Sequence, residues 1–468
     1  MSLFKSTAWY TFGNLLSRSL GFILLPFYSN LITTDEFGVY ALIMSGYAVL
    51  STLYQGGLFA GFSKFYSDAD QANKPSVFSS IFSVIIVTSL FISSIITVYQ
   101  RNISELLLSS PEYSRLIFIA VWMLFSDTIF STLLHLLKTK EQPEKVTYYT
   151  SASAIFNLLL NLIFVFYQRK GVEGILLAQL FSGAIVCSAM FPVFIENFRF
   201  KINGPVLKKV LTFSLPLLIG GVFSTLVDVA DRFILDHFLD VNTVGVYSFS
   251  YRIAMIMNVF VISFGTAWTP YFLRIYNKEK TYSSIFGKNL SKLIAVSLMI
   301  FLSVSLFIDN LFTLKLSGIN IFNIQYLPGI VIIPFIMIGY IFRGMSGFYS
   351  VFPYVSGKSY HFLLSDAIAF GVNILLNFIM IPLWGITGAA IATMLSYITG
   401  TAYLFFISKE IKITYRIKEI VSLLASAAVI FVLSRLIDSL IMDIVLIIVF
   451  AIIIQRVLKV GVPKTVSV

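Results

Sequence analysis

Nine ionisable side chains of this 468-residue sequence fall inside long apolar stretches: Arg18, Asp127, Asp228, Asp231, Arg232, Asp236, Arg252, Arg343 and Asp366. A charge at the centre of a membrane-spanning helix costs about 2.5–3.5 kcal/mol on the insertion scale, so each such group needs a partner or a task. Arginine is planar, permanently charged and donates in a fork that matches phosphate and carboxylate. Arg18, Arg252 and Arg343 have no acidic residue three or four positions away. Their partner must come from another helix or from a bound anion, and Asn14 shares the face of Arg18 one turn earlier. These four form the candidate binding set. Asp228, Arg232 and Asp236 follow one another at i+4 and can pair along one face. With Asp231 beside them, and with Asp127 and Asp366 elsewhere, they are candidates for salt bridges or for ion coupling. The chemistry on offer is anion recognition, with carboxylates held in reserve.

The elements that position these groups follow from composition. Hydrophobic residues make up 58% of the chain and charged residues only 12%, with a mean hydropathy of +0.90. A soluble domain carries roughly 25% charged residues, so a water-soluble enzyme, a secreted module and a disordered chain are excluded. The one cysteine, Cys187, permits no disulfide, and His135, His237 and His361 are too dispersed for a metal motif. No metal or cofactor is expected. Fourteen helices are predicted near 8–32, 38–62, 77–99, 115–137, 147–168, 173–195, 209–234, 244–270, 285–308, 327–352, 360–383, 386–408, 417–437 and 440–458, each near the roughly 20 residues a bilayer crossing requires. The first is read as a retained helix. The fold class is therefore an all-α polytopic membrane protein.

Charge gives the direction. With the N-terminus inside, alternate loops hold 23 of the 33 lysines and arginines, against six in the opposite loops. The positive-inside rule then places both termini in the cytoplasm. The same bias explains the net charge of +11: the inner loops face anionic lipid headgroups. No loop is long enough to build a basic face for nucleic acid.

The chain also repeats itself. The Gly-Val-Tyr triplets at Gly38–Tyr40 and Gly245–Tyr247 lie 207 positions apart. Asn157-Leu-Leu-Leu-Asn161 followed by Gly171-Val-Glu-Gly174 returns as Asn373-Ile-Leu-Leu-Asn377 followed by Gly385-Ile-Thr-Gly388. A six-helix unit copied once keeps its membrane orientation, so the repeats are parallel with a cavity expected between the lobes. The predicted domains are an N-lobe (1–200), a C-lobe (201–410) and an appended helix pair (411–468). In this register Asp127 occupies the place of Arg343. Tyr54, Trp268, Tyr340 and Tyr349 are read as rings at a depth where they could stack on sugar faces.

The signature at 373–393, its weaker copy at 157–174 and the hairpin pattern Leu31 to Tyr40 resemble the polysaccharide-flippase branch of the MOP (multidrug/oligosaccharidyl-lipid/polysaccharide) exporter superfamily, in its O-antigen (Wzx-type) form. The resemblance covers the whole chain. It implies transport of an undecaprenyl-pyrophosphate-linked oligosaccharide across the bacterial inner membrane, without catalysis, alongside a polysaccharide polymerase and a chain-length regulator. Two alternatives share the fold, a multidrug or organic-cation antiporter and a lipid II-type flippase. An antiporter for cations should carry an acidic or aromatic cavity, which buried arginines oppose. An enzyme of the same pathway would need a long outer loop, and the segment near 100–114 is too short.

Overall fold

In a computed structural model the described residues are 21–200, 202–276, 282–316, 318–358, 360–409, 413–437 and 439–460. Among them, twelve helices are long and apolar enough to cross a membrane. In chain order the helices are α1 (Leu25–Leu31), α2 (Thr34–Gln55), α3 (Leu58–Asp68), α4 (Lys74–Val98), α5 (Gln100–Leu108), α6 (Ser114–Thr139), α7 (Pro143–Asn161), α8 (Gly171–Ala189) and α9 (Phe191–Asn197). They continue as α10 (Gly204–Phe238), α11 (Val241–Tyr276), α12 (Tyr282–Thr313), α13 (Ile333–Tyr349), α14 (Val351–Ser356), α15 (Tyr360–Ser408), α16 (Ile417–Ile437) and α17 (Leu440–Val460). The only strands among the described residues are the two-residue pair β1 (Lys315–Leu316) and β2 (Ile319–Asn320), paired antiparallel. The protein is an all-α, multi-pass membrane protein.

The longest helix, α15, contains two spans. Gly385 interrupts it at φ 57°, ψ −134°, and the pieces on either side are each about 35 Å long at 1.5 Å per residue. They are the predicted spans 360–383 and 386–408. The predicted span 8–32 lies largely outside the described residues, and only its last part, Gly21–Leu31, is seen as an apolar helix.

Local chemistry sets the repeat-related joints. Thr33 caps α2 in a capping box: its hydroxyl accepts from the Glu36 amide at 3.2 Å while Glu36 Oε2 accepts from the Thr33 amide at 3.0 Å. Asp240 does the equivalent for α11, its Oδ1 accepting from the Thr243 amide at 2.7 Å. Each cap lies five residues before a glycine, Gly38 and Gly245, and these two glycines let the first turns of α2 and α11 meet backbone to backbone. A Cβ at Gly38 would stand 1.9 Å from the Val241 carbonyl oxygen, and one at Gly245 1.9 Å from that of Thr34. The Asn242 amide also donates to the Thr34 hydroxyl and, at 3.2 Å, to Asp35 Oδ2.

The second motif behaves alike in its two copies. Gly171 (φ 52°) and Gly385 (φ 57°) both adopt left-handed backbone. Three residues on, Gly174 packs on the Phe164 carbonyl and Gly388 on that of Met380. The φ/ψ of Gly385 is one that a side chain resists, so Gly385→Ala is expected to cost about 1–3 kcal/mol. A lowered thermal midpoint in detergent would report it. Gly371→Ala is the control, in the same helix with no atom within 4 Å of the added Cβ; it should match or exceed the wild-type midpoint.

By internal contacts the chain forms two compact units, Met1–Ser248 and Phe249–Val468. Within the first, one core gathers Phe62, Phe78, Ile81, Leu136, Leu137 and Met190 from α3, α4, α6 and the end of α8. Within the second, Trp268, Phe286 and Phe348 pack together, Trp268 stacking on Phe348 at 3.9 Å.

Candidate functional site

In the first unit, Asp127 projects from the middle of α6, where its Oδ2 accepts from the Tyr47 hydroxyl of α2 at 2.6 Å and from Gln179 Nε2 of α8 at 3.1 Å. Its Oδ1 faces Gly183, whose missing Cβ would stand 3.2 Å away. No lysine, arginine or histidine nitrogen among the described residues lies within 4.0 Å of this carboxylate. Among the described residues, Asp127 is therefore held by neutral donors.

The second intramembrane cluster of this unit centres on Asp231, which is fully buried. Its Oδ1 receives Arg232 Nη1 at 2.8 Å, and its Oδ2 receives the Tyr247 hydroxyl from α11. Arg232 also donates to the Asp228 carbonyl oxygen. The guanidinium thus also folds back along α10 onto its immediate neighbour, a contact that the i+4 spacing did not name. Asp236 is only partly buried. Tyr247 ends the second Gly-Val-Tyr triplet, a role that spacing alone did not reveal.

In the second unit, Arg343 on α13 donates through Nη1 to the Tyr397 hydroxyl of α15 at 2.7 Å and stands 5.2 Å from that ring's centroid. Tyr397 stacks on Tyr340, and the Tyr340 hydroxyl donates to that of Tyr251 at 3.1 Å. Arg252 follows Tyr251 in α11, so the two helices that bear Arg252 and Arg343 are joined through this tyrosine pair. Asp366 is half-buried on α15, beside Ser365, whose hydroxyl donates to the Gly400 carbonyl at 3.1 Å. Gly183 and Tyr397 are 214 positions apart, the same offset as Gly171 and Gly385. The pairings 127 with 183 and 343 with 397 are therefore one repeat-related contact, occupied by acid and glycine in one unit and by arginine and tyrosine in the other.

Arg18 and Asn14 lie outside the described residues. The four aromatic residues expected at sugar-stacking depth are packed inside the protein. Tyr54, Trp268, Tyr340 and Tyr349 are each at most 3% exposed, so no ring face is open to a sugar. Packing at helix crossings claimed them, as it claims most large side chains in a bundle. The paired asparagines of the repeat bond largely to one another and to neighbouring helices, while the buried Asn377 Oδ1 has no partner among the described residues. Asn161 Nδ2 donates to the Asn157 carbonyl at 2.9 Å and Asn161 Oδ1 accepts from Tyr28; Asn377 Nδ2 donates to Asn373 Oδ1 at 2.9 Å. The histidines stand apart: His135 against Ser63 and the Phe59 carbonyl, His361 against Tyr403, His237 exposed. Among the described residues no group of three or more His, Cys, Asp or Glu could hold a metal ion.

The second unit also contains an apolar cavity of about 820 Å³ bounded by α12, α13 and α16, with Leu298, Phe301, Ile338, Leu424 and Phe431 in its wall. Arg435 reaches it while donating to Asp309 Oδ2 at 2.7 Å and to the Ser305 carbonyl at 2.9 Å.

Residues 3–276 match the family described as polysaccharide biosynthesis protein. Among curated proteins, the chain is 23% identical over 301 residues to the "Lsg locus putative protein 1" of Haemophilus influenzae, covering 60% of this chain and 68% of that one. It is 21% identical over 422 residues to an uncharacterized membrane protein of Methanocaldococcus jannaschii, covering 84% and 81%. Among solved structures, the lipid II flippase MurJ in an inward closed conformation superposes with a TM-score of 0.78 at 16% identity, over 96% of this chain and 99% of that one. An inward-facing multidrug resistance MATE family transporter of the MOP superfamily superposes with a TM-score of 0.64 at 14% identity, over 88% and 96%. These structures share the fold. The match over more than half of its length makes this chain a member of the polysaccharide biosynthesis protein family.

Proposed function

We propose that the protein is a flippase that carries an undecaprenyl-pyrophosphate-linked oligosaccharide across the bacterial inner membrane by alternating access, for O-antigen or capsular polysaccharide assembly. In this reading both termini are cytoplasmic, the inner loops rest on anionic lipid, and a polymerase and chain-length regulator act downstream. The observation that carries it is Arg343: a permanent cation deep in a membrane bundle, backed by Tyr397, Tyr340 and Tyr251, in a member of a polysaccharide family. A pyrophosphate bearing sugars loses its water on entering hydrocarbon, and guanidinium forks replace that water with charge-assisted hydrogen bonds. Arg252 serves the same head group, as do Arg18 and Asn14 on the grounds of their sequence pattern. The polyprenyl tail, which needs only apolar surface, lies along the cavity of α12, α13 and α16. A cytoplasm-negative potential of 100 mV contributes about 2.3 kcal/mol per charge moved, and it drives an anion outward.

The test is flipping in proteoliposomes, read as the fraction of a polyprenyl-pyrophosphate oligosaccharide exposed to a membrane-impermeant reagent. Arg343→Ala should slow flipping at least about tenfold, equivalent to about 1.4 kcal/mol in the barrier, with Arg343→Lys intermediate because a lysine keeps the charge and loses the fork. Full activity of Arg343→Ala would refute the site. Transport of lipid II or of an organic cation in preference to the oligosaccharide would refute the substrate.

A further inference from the structure

We infer that Arg435, at the outer mouth of the apolar cavity in the second unit, is a second phosphate-binding site, which receives the lipid diphosphate head group after it has crossed. For its purpose this assignment rests on the transport reading above. Its chemistry rests on the contacts that follow.

The side chains that line the cavity of about 820 Å³ are aliphatic or aromatic with one exception, Arg435 near the end of α16. Its guanidinium is fixed in place. Nη1 donates to Asp309 Oδ2 at 2.7 Å and Nη2 to the Ser305 carbonyl at 2.9 Å, while the guanidinium carbon stands 5.6 Å from the centroid of the Phe431 ring. Phe431 packs in turn against Phe301 at 5.6 Å, and both rings belong to the cavity wall. A guanidinium held in advance spares a ligand part of the ordering that binding costs. The group carries five N–H donors, and these two bonds occupy two of them. The side chain is 46% exposed, so an anion reaches the remaining donors from the surface.

Charge and shape together specify the ligand. A cavity with apolar walls rejects sugars, whose hydroxyls would lose their water there, and accepts hydrocarbon. A planar, permanent cation at its mouth suits phosphate, whose oxygens match the fork. The ligand is an amphiphile with a phosphorylated head and an apolar chain. Depth separates its two sources. Ile420 also lines the cavity, and it lies about 22 Å from Arg435 along α16 at 1.5 Å per residue. On α12 the lining residue Ile294 is equally far from Asp309. The midplane of a bilayer is only about 15 Å from the edge of its hydrocarbon. A phospholipid chain of the outer leaflet ends near that midplane, whereas the cavity continues past it. A long isoprenoid chain fills the whole depth.

The two arginines of this unit then divide the work. Arg343 turns to Tyr397 of α15, while its neighbours Phe342 and Met345 on α13 line the cavity. A chain can therefore stay in the cavity while its head leaves one arginine for the other. Asp309 shares the Arg435 guanidinium and repels an arriving anion, which limits the hold at the outer surface and favours release. A plain strut between α12 and α16 is the rival reading of the same ion pair. The two readings respond oppositely to removal of the Asp309 charge.

The experiment uses the full-length protein in phosphatidylcholine nanodiscs containing undecaprenyl diphosphate, with Phe342 replaced by the photoreactive p-benzoylphenylalanine. Irradiation should attach the isoprenoid to the protein, read as a mass increment of the intact chain. At subsaturating ligand, Arg435→Ala should lower the cross-linked fraction at least about tenfold, the effect of losing one hydrogen bond between charged groups. Arg435→Lys should be intermediate. Asp309→Asn should equal or exceed the parent protein, because Arg435 keeps an acceptor and the competing charge is gone. Unchanged cross-linking in Arg435→Ala overturns the assignment. So does a fall in Asp309→Asn to the level of Arg435→Ala, which would make the pair a strut. Equal labelling by phosphatidylglycerol at the same concentration would also overturn it, in favour of a resident phospholipid. If the expected pattern holds while no oligosaccharide is flipped in proteoliposomes, the transport reading fails and the phosphate site stands.

Discussion

Asp231→Ala is expected to lower stability by about 3–5 kcal/mol, because it takes a buried carboxylate partner from the Arg232 guanidinium in the interior of a helix bundle. Asp231 is fully buried and Arg232 is 8% exposed, so water cannot take over the lost contact. Tyr247→Phe removes one hydrogen bond to a charged acceptor and should cost less, about 1.5–3 kcal/mol. Asp236→Ala discriminates between two pictures of this helix. A ladder of i+4 pairs would make Asp236 as costly to remove as Asp231. The observed geometry gives Asp236 no hydrogen bond or ion pair among the described residues, so its loss should fall within about 0.5 kcal/mol. Thermal midpoints of the purified variants, with the monodisperse fraction after solubilisation, give the order. A midpoint for Asp231→Ala indistinguishable from wild type, or an Asp236→Ala effect of equal size, would contradict the assigned pairing.

How much of this was legible in the sequence depends on the range of the interaction. The spans were, because a bilayer imposes a length and a hydropathy on each helix separately; the helix break at Gly385 was too, since glycine and proline punctuation is local. The echoes Gly38/Gly245 and Gly171/Gly385 are visible in the sequence, and the structure shows what those residues do. Side-chain pairing was not. The i+4 rule named Asp228 and Asp236 for Arg232 and missed Asp231, the immediate neighbour that receives the guanidinium where a second helix supplies Tyr247. Tyr47 and Gln179 come to Asp127 from helices 80 and 52 positions away, and no periodicity carries that information. The alignment of Asp127 with Arg343 did contain a clue. Extending the offset of 214 from Gly171/Gly385 to position 183 finds Tyr397, the residue that receives Arg343. The aromatic residues misled because depth in the membrane does not say which face of a helix a ring occupies.

The crossing of α2 and α11 yields the other large effect. Gly38→Ala and Gly245→Ala each place a Cβ about as far from a backbone carbonyl oxygen as a covalent bond and a half. The obstructing atoms belong to main chain at capped helix starts, with no rotamer by which to withdraw. Each substitution should therefore reach the upper part of the roughly 1–3 kcal/mol that overpacking costs, or exceed it. The double variant should gain less than the sum, because separating the helices once relieves both clashes. Matched controls isolate the contact from helix propensity. Gly46 lies on α2 and Gly265 on α11, and a Cβ at either meets nothing within 4 Å; alanine there should leave stability unchanged or raise it by up to about 1 kcal/mol. The comparison is made on thermal midpoints of four single variants in one detergent. Equal behaviour of Gly38→Ala and Gly46→Ala would mean that α2 and α11 do not approach at these glycines. The predicted split would establish that the Gly-Val-Tyr triplets persist in both halves of the repeat because two helix starts must touch there through bare backbone.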